Sequence, residues 1–100
     1  MKQTFTLKQF LSSDFDIDVY DDYDERLGIA FCGPTFLTEQ GEQEFGHLMD
    51  KTIEVHFIPN YADYAVVHCD TGREASQFKK LFDSLAGLCS EEDWDRWFKY

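Results

Sequence analysis

The chain has 100 residues, the size of one domain, and 43% of them are hydrophobic, ten being phenylalanine. That much apolar and aromatic material excludes a disordered chain, even at a net charge of −11. Twenty acidic residues against nine basic ones disfavour direct binding to nucleic acid or to an anionic membrane surface, because the phosphate attraction has the wrong sign.

The first predicted element is a short helix. Thr6 and Gln9 form a T-x-x-Q capping box, Phe5 and Phe10 are placed as a hydrophobic staple, and the helix ends near Ser12–Ser13. Phe15, Ile17 and Val19 then alternate with Asp14, Asp16 and Asp18, the period of a half-buried strand. Asp21–Arg26 is a polar turn, and Leu27–Cys32 is an apolar run that fits a strand buried on both faces, so the two segments predict a hairpin. Gly33-Pro34 breaks it. Thr38 can cap a helix from Glu39 to about Met49, with Phe45, Leu48 and Met49 as its apolar stripe; Gly41 and Gly46 weaken it by about 0.8–1 kcal/mol each relative to alanine.

A second hairpin follows, Ile53 to Phe57 alternating with Glu54 and His56, a turn at Pro59-Asn60, and a return strand over Tyr64–Cys69. Thr71 and Glu74 make a second capping box, opening a helix with Ala75, Phe78, Leu81, Phe82 and Leu85 at helical spacing and Gly87 as its stop. Ser90 and Asp93 cap a last helix carrying Trp94, Trp97 and Phe98. This order predicts one α+β domain over residues 1–100, an antiparallel sheet of about four strands built from two hairpins with helices packed on one face. Hairpins in place of β-α-β crossovers, and the lack of a Gly-rich phosphate loop, argue against a doubly wound nucleotide-binding fold.

No segment approaches the roughly 18 apolar residues of a membrane span, and Met1 to Leu11 lacks the apolar run of a signal peptide. Cys32, Cys69 and Cys89 are odd in number and widely spaced, as expected of reduced thiols in a cytoplasmic protein. No motif names a cofactor, and the cysteines and histidines lack the tight spacing of a zinc site.

The most distinctive feature is the set of seven carboxylates Asp14, Asp16, Asp18, Asp21, Asp22, Asp24 and Glu25, with no basic residue between them. Three readings compete for it. As a calcium loop it places acids at five EF-hand positions, but Val19 stands where the loop needs glycine and the flanking helices are absent. As a recognition face, Asp14, Asp16 and Asp18 make a row of negative charge that competes for the Lys/Arg sites that hold nucleic-acid phosphates. As a solvated face, the same carboxylates protect a strand from edge-to-edge pairing. The C-terminal aromatics Trp94, Trp97 and Phe98 suit either core packing or an interface, and the five tyrosines add polar aromatic surface of the kind interfaces favour, a homodimer included. A Cys–His nucleophilic pair or a carboxylate site remains the enzymatic alternative.

Three segments carry a resemblance: Asp16-Ile17-Asp18-Val19 with Asp21-Asp22; Gly28-Ile29-Ala30-Phe31-Cys32-Gly33-Pro34 with Leu37-Thr38; and Ala86-Gly87-Leu88-Cys89-Ser90 with Trp94 and Trp97-Phe98. Together they resemble a family of acidic proteins of this length and of unknown function from Firmicutes and their phages and mobile elements. The resemblance implies an inhibitor of host defence, of the anti-CRISPR kind, that mimics nucleic acid in a basic channel such as the one that holds a guide heteroduplex. No catalytic residues come with it. The expectation is therefore a non-enzymatic interaction protein that presents the acidic set to a basic, nucleic-acid-binding partner protein.

Overall fold

The structure, a computed structural model, describes residues 1–13, 17–29 and 35–99. In chain order the elements are β1 (Lys2–Thr6), α1 (Leu7–Leu11), β2 (Asp18–Tyr20), β3 (Arg26–Ile29), β4 (Phe36–Leu37), α2 (Glu39–Phe45), β5 (Thr52–His56), β6 (Tyr64–Val67), α3 (Gly72–Leu85), α4 (Glu91–Trp97) and β7 (Phe98–Lys99). The class is α+β, as the sequence predicts. Among the described residues no helix is long and apolar enough to cross a membrane.

Each helix begins where a hydroxyl can accept from an otherwise unpaired backbone N–H. Thr6 accepts from Gln9 N at 3.1 Å, Thr38 from Gly41 N at 3.1 Å, Thr71 from Glu74 N at 3.2 Å and Ser90 from Asp93 N at 3.1 Å. At α1 the capping box is complete, since Gln9 Oε1 accepts from Thr6 N at 2.9 Å. At α3 the glutamate reaches one residue further back than expected, and Glu74 accepts from Asp70 N at 2.6 Å. The expected helix to Met49 stops at Phe45 and tightens into a 3-10 turn over Gly46–Leu48, although Phe45, Leu48 and Met49 are all buried.

Both expected hairpins form, β2 with β3 and β5 with β6. The sheet they build differs from the expected four antiparallel strands. It has five strands in the order β1-β5-β6-β2-β3, and the hairpins join through β2 lying parallel to β6. Strand β1, which the sequence pattern misses, pairs antiparallel with β5. Its stretch Lys-Gln-Thr-Phe-Thr has one apolar residue and sits at a sheet edge with three consecutive exposed positions, so no alternation marks it. Strand β3 is the other edge of the sheet, with Leu27 and Gly28 both buried; Ala30–Cys32 of the expected apolar strand, and the Gly33-Pro34 break, lie outside the described residues. A separate two-stranded pairing, β4 with β7, ties Leu37 to Phe98.

One apolar cluster lies on one face of the sheet. It joins Val19, Leu27, Ile53, Val55, Ala65 and Val67 of the strands to Leu7 and Phe10 of α1, Phe45 of α2, and Phe78, Leu81, Phe82 and Leu85 of α3. Two glycines allow the closest approaches. Gly28 has φ 153°, and a Cβ there would lie 2.7 Å from Phe82 Cβ, so α3 packs directly on the β3 backbone. At Gly41 a Cβ would overlap the Trp97 carbonyl oxygen and lie 3.0 Å from its carbonyl carbon. There the first turn of α2 docks on the end of α4: Thr38 N donates to Trp97 O at 3.0 Å, and the Thr38 hydroxyl donates to Arg96 O. Trp97 packs edge-on against Phe45, with ring centroids 5.3 Å apart, and Lys80 Nζ lies 4.8 Å above its ring.

Gly41→Ala is expected to cost about 1–3 kcal/mol of stability by overpacking, despite the better helix propensity of alanine. Gly72→Ala, where a Cβ meets nothing within 4 Å, is expected to be neutral or to stabilise by up to about 1 kcal/mol. Urea denaturation of the two variants checks the pair, and equal destabilisation would contradict the docking.

Candidate functional site

The pleat that buries Ile53 and Val55 turns Glu54 and His56 of β5 to the opposite, outward face. Strand register continues that face across the sheet. Lys2, His56, Tyr64 and Asp18 lie in one row, and Thr4, Glu54, Val66 and Tyr20 in the next. His56 stacks flat on Tyr64 with centroids 4.6 Å apart, and Tyr20 meets Tyr64 edge-on at 6.2 Å. The outward face therefore carries an aromatic strip next to carboxylates.

The acidic set is distributed over several jobs. Asp14 and Asp16 lie outside the described residues. Asp18 Oδ1 accepts from Arg26 Nη2 at 3.0 Å and Nε at 3.1 Å across the hairpin. Asp21 is buried, and its Oδ1 accepts from Tyr23 N at 2.8 Å and Glu25 N at 3.0 Å, which closes the β2–β3 turn. It therefore holds the turn from inside and is not part of the exposed face. Asp24 takes the left-handed position of that turn at φ 61°, a conformation aspartate tolerates better than most residues. Asp24 and Glu25 are exposed. Asp22 Oδ1 lies 2.8 Å from His68 Nδ1.

His68 links the turn to the sheet. Its Nε2 lies 3.2 Å from Glu54 Oε1 while its Nδ1 faces Asp22, so both nitrogens donate to carboxylates when the ring is charged. The hydrogen bond to Glu54, with the nearby charge of Asp22, raises the His68 pKa against the opposing effect of burial. Glu54 is held below the usual carboxylate range, first by His68 and then by Lys2 against burial. Lys2 Nζ and His56 Nε2 each lie 3.6 Å from a Glu54 oxygen.

Two clefts flank the β2–β3 turn. One, of about 320 Å³, opens on the outward face and is lined by Asp18, Tyr20, Asp24, Ala62, Asp63 and Tyr64. The other, of about 490 Å³, lies between the turn and the start of α3, where Arg26, Cys69 and Lys79 contribute. Burial, aided by Asp22 and Asp21, pushes the Cys69 thiol up to about 11, which keeps it protonated and weakly nucleophilic at neutral pH. The Cys89 thiol donates to Ser84 O at 3.7 Å, and Cys32 lies outside the described residues. Lys51 bridges Asp70 at 2.9 Å and Glu74 at 2.7 Å, anchoring the entry to α3.

Comparison with protein-family models finds no match for this chain, and none is found among curated proteins or solved structures. The structure brings Asp18 and Asp24 of the acidic set together with Asp63, and couples Asp22 to Glu54 through His68. Glu54, His56 and Asp63 lie outside the acidic set, and Tyr64 is one of the five tyrosines that the sequence marks as interface-like. The alternation in β5 already turns Glu54 and His56 outward, but nothing local pairs Tyr64 with Asp18 across a parallel contact.

A raised histidine pKa contributes stability that is complete below the unfolded value of 6.5 and is lost as pH rises through the folded value. The depressed Glu54 acts at the other end, contributing above its unfolded value of 4.5 and failing as pH falls through the folded one. The thermal midpoint is thus expected to decline on raising the pH above 6.5, with a smaller decline in His68→Gln. Differential scanning fluorimetry across that range measures the difference, and identical profiles would show that His68 makes no such link.

Proposed function

We propose that this chain is an interaction protein whose outward sheet face, together with the β2–β3 turn, docks a basic partner protein. One observation carries the reading: Asp18, Asp24 and Asp63 rim a cleft whose walls are Tyr20 and Tyr64, on a chain of net charge −11. Tyrosine is enriched at binding hot spots because it offers a large, rigid, amphipathic surface. Carboxylates around it steer basic partners and repel nucleic acid and acidic proteins. The narrower form of this reading, an anti-CRISPR-like inhibitor or nucleic-acid mimic that occupies a basic channel, uses the same surface. The enzymatic alternative is weaker at Cys69, whose thiol is held far from its reactive form.

A pull-down from nuclease-treated lysate tests the proposal when paired with two variants. The wild-type chain is expected to retain a stoichiometric basic protein that salt releases. The double variant Asp24→Asn/Glu25→Gln is expected to weaken that complex about ten-fold, since exposed charge pairs contribute up to about 1 kcal/mol each. Glu91→Gln/Asp95→Asn, on the exposed side of α4, is expected to leave it unchanged. Equal loss from both variants would mean that total charge acts, not this face.

A further inference from the structure

We infer that the outward cleft between β2, the β2–β3 turn and the β5–β6 loop receives one arginine side chain of a polypeptide, its guanidinium lying against the Tyr20 and Tyr64 rings and between Asp24 and Asp63. This rests on the basic-partner reading and specifies which group of the partner enters. The cleft, at about 320 Å³, is at the small end of the roughly 300–1,000 Å³ typical of ligand sites, a size suited to one extended side chain. Its lining holds three carboxylates and two phenol rings, and no cationic side chain. Like charges converging on one concave place repel, and a bound cation relieves that repulsion while meeting the aromatic surface that Tyr20 and Tyr64 contribute to the lining.

The groups are set before anything binds. Tyr64 is held by the flat contact with His56 and a T-shaped contact with Tyr20. Asp63 Oδ1 accepts from Ile58 N at 3.2 Å, which fixes the carboxylate at the end of its loop. Asp24 is carried by a turn closed through its own N–H to Asp21 O at 3.2 Å. Asp18 is already bridged by Arg26, so an incoming cation is directed toward Asp24 and Asp63. Rigid acceptors beside flat rings favour guanidinium over ammonium, because guanidinium is planar, less strongly hydrated, and able both to stack and to fork onto a carboxylate. The same β5–β6 loop carries Tyr61, 79% exposed and next in sequence to the lining residue Ala62, a shelf for residues flanking the arginine. A free metal or amine would have no use for that shelf.

The test is an NMR titration of the full chain with three peptides that differ only at a central arginine, lysine or citrulline. The arginine peptide is expected to shift the Tyr20 and Tyr64 ring resonances and to bind about ten-fold more tightly than the citrulline peptide, with lysine between them. Asp24→Asn and Asp63→Asn are each expected to lose several-fold affinity for the arginine peptide; both keep their turn geometry, and an unchanged thermal midpoint confirms the fold. Arginine and lysine peptides binding equally, with shifts confined to Asp22 and Glu25, would overturn the cleft and leave the basic-partner reading standing. A citrulline peptide that binds as well as the arginine one, with no salt dependence, would overturn both. No shift of either tyrosine at any peptide concentration overturns the cleft.

Discussion

The one-sided core is the constraint from which the rest follows. Burying a large apolar side chain is worth about 1.5–3 kcal/mol, and the pleat sends Val19, Ile53, Val55, Ala65 and Val67 to the same side of the sheet. Once α1 and α3 cover that side, Glu54, His56, Tyr64, Val66, Asp18 and Tyr20 must occupy the other. Three are polar aromatics and two are acids, so they protect one another by stacking and by ion pairing. The outward face is a consequence of how the core is built.

The C-terminal part of the chain is joined to the middle by close backbone contact. Thr38 caps α2 and at the same time binds the last turn of α4, which Gly41 lets approach. Phe98 then leaves the helix, pairs with Leu37 and stacks at 6.2 Å on Phe45. The terminal tryptophans are half-buried against the core and serve packing first. Their cation–π and aromatic contacts seat α4 rather than advertise an exposed surface.

The acidic run illustrates how one composition divides into separate roles. Asp21 faces inward and supplies acceptors to its own turn, Asp18 neutralises Arg26, and Asp22 holds His68. Asp24 and Glu25 remain exposed at the tip. The charge that faces solvent near the tyrosines is therefore assembled from two loops, the β2–β3 turn and the β5–β6 loop with Asp63, and from strand β2. His68 makes the seating of the turn on the sheet sensitive to pH, because it bridges Asp22 and Glu54 with both ring nitrogens.

The local signals were legible. Thr6, Thr38, Thr71 and Ser90 each cap a helix, the β5–β6 hairpin falls where alternation and turn residues place it, β2 and β3 pair around the expected acidic turn although Asp14–Asp16 of the expected strand lie outside the described residues, and Phe78, Leu81, Phe82 and Leu85 face the core. These depend on hydrogen bonds and periodicities within a few residues, which a single sequence displays directly. Strand β1, the parallel contact of β2 with β6 and the β4–β7 pairing were not legible, because each is stabilised by partners far along the chain: Phe5 meets Ile53, Asp18 meets Tyr64 and Leu37 meets Phe98. The candidate site divides the same way. The sequence by itself determined that acids crowd residues 14–25 and that Glu54 and His56 leave the core together. Only the tertiary structure decided that Asp21 turns inward, that Asp63 and Tyr64 complete the cleft, and that His68 bridges Asp22 to Glu54, since a strand's neighbours are chosen by the packing of the whole sheet.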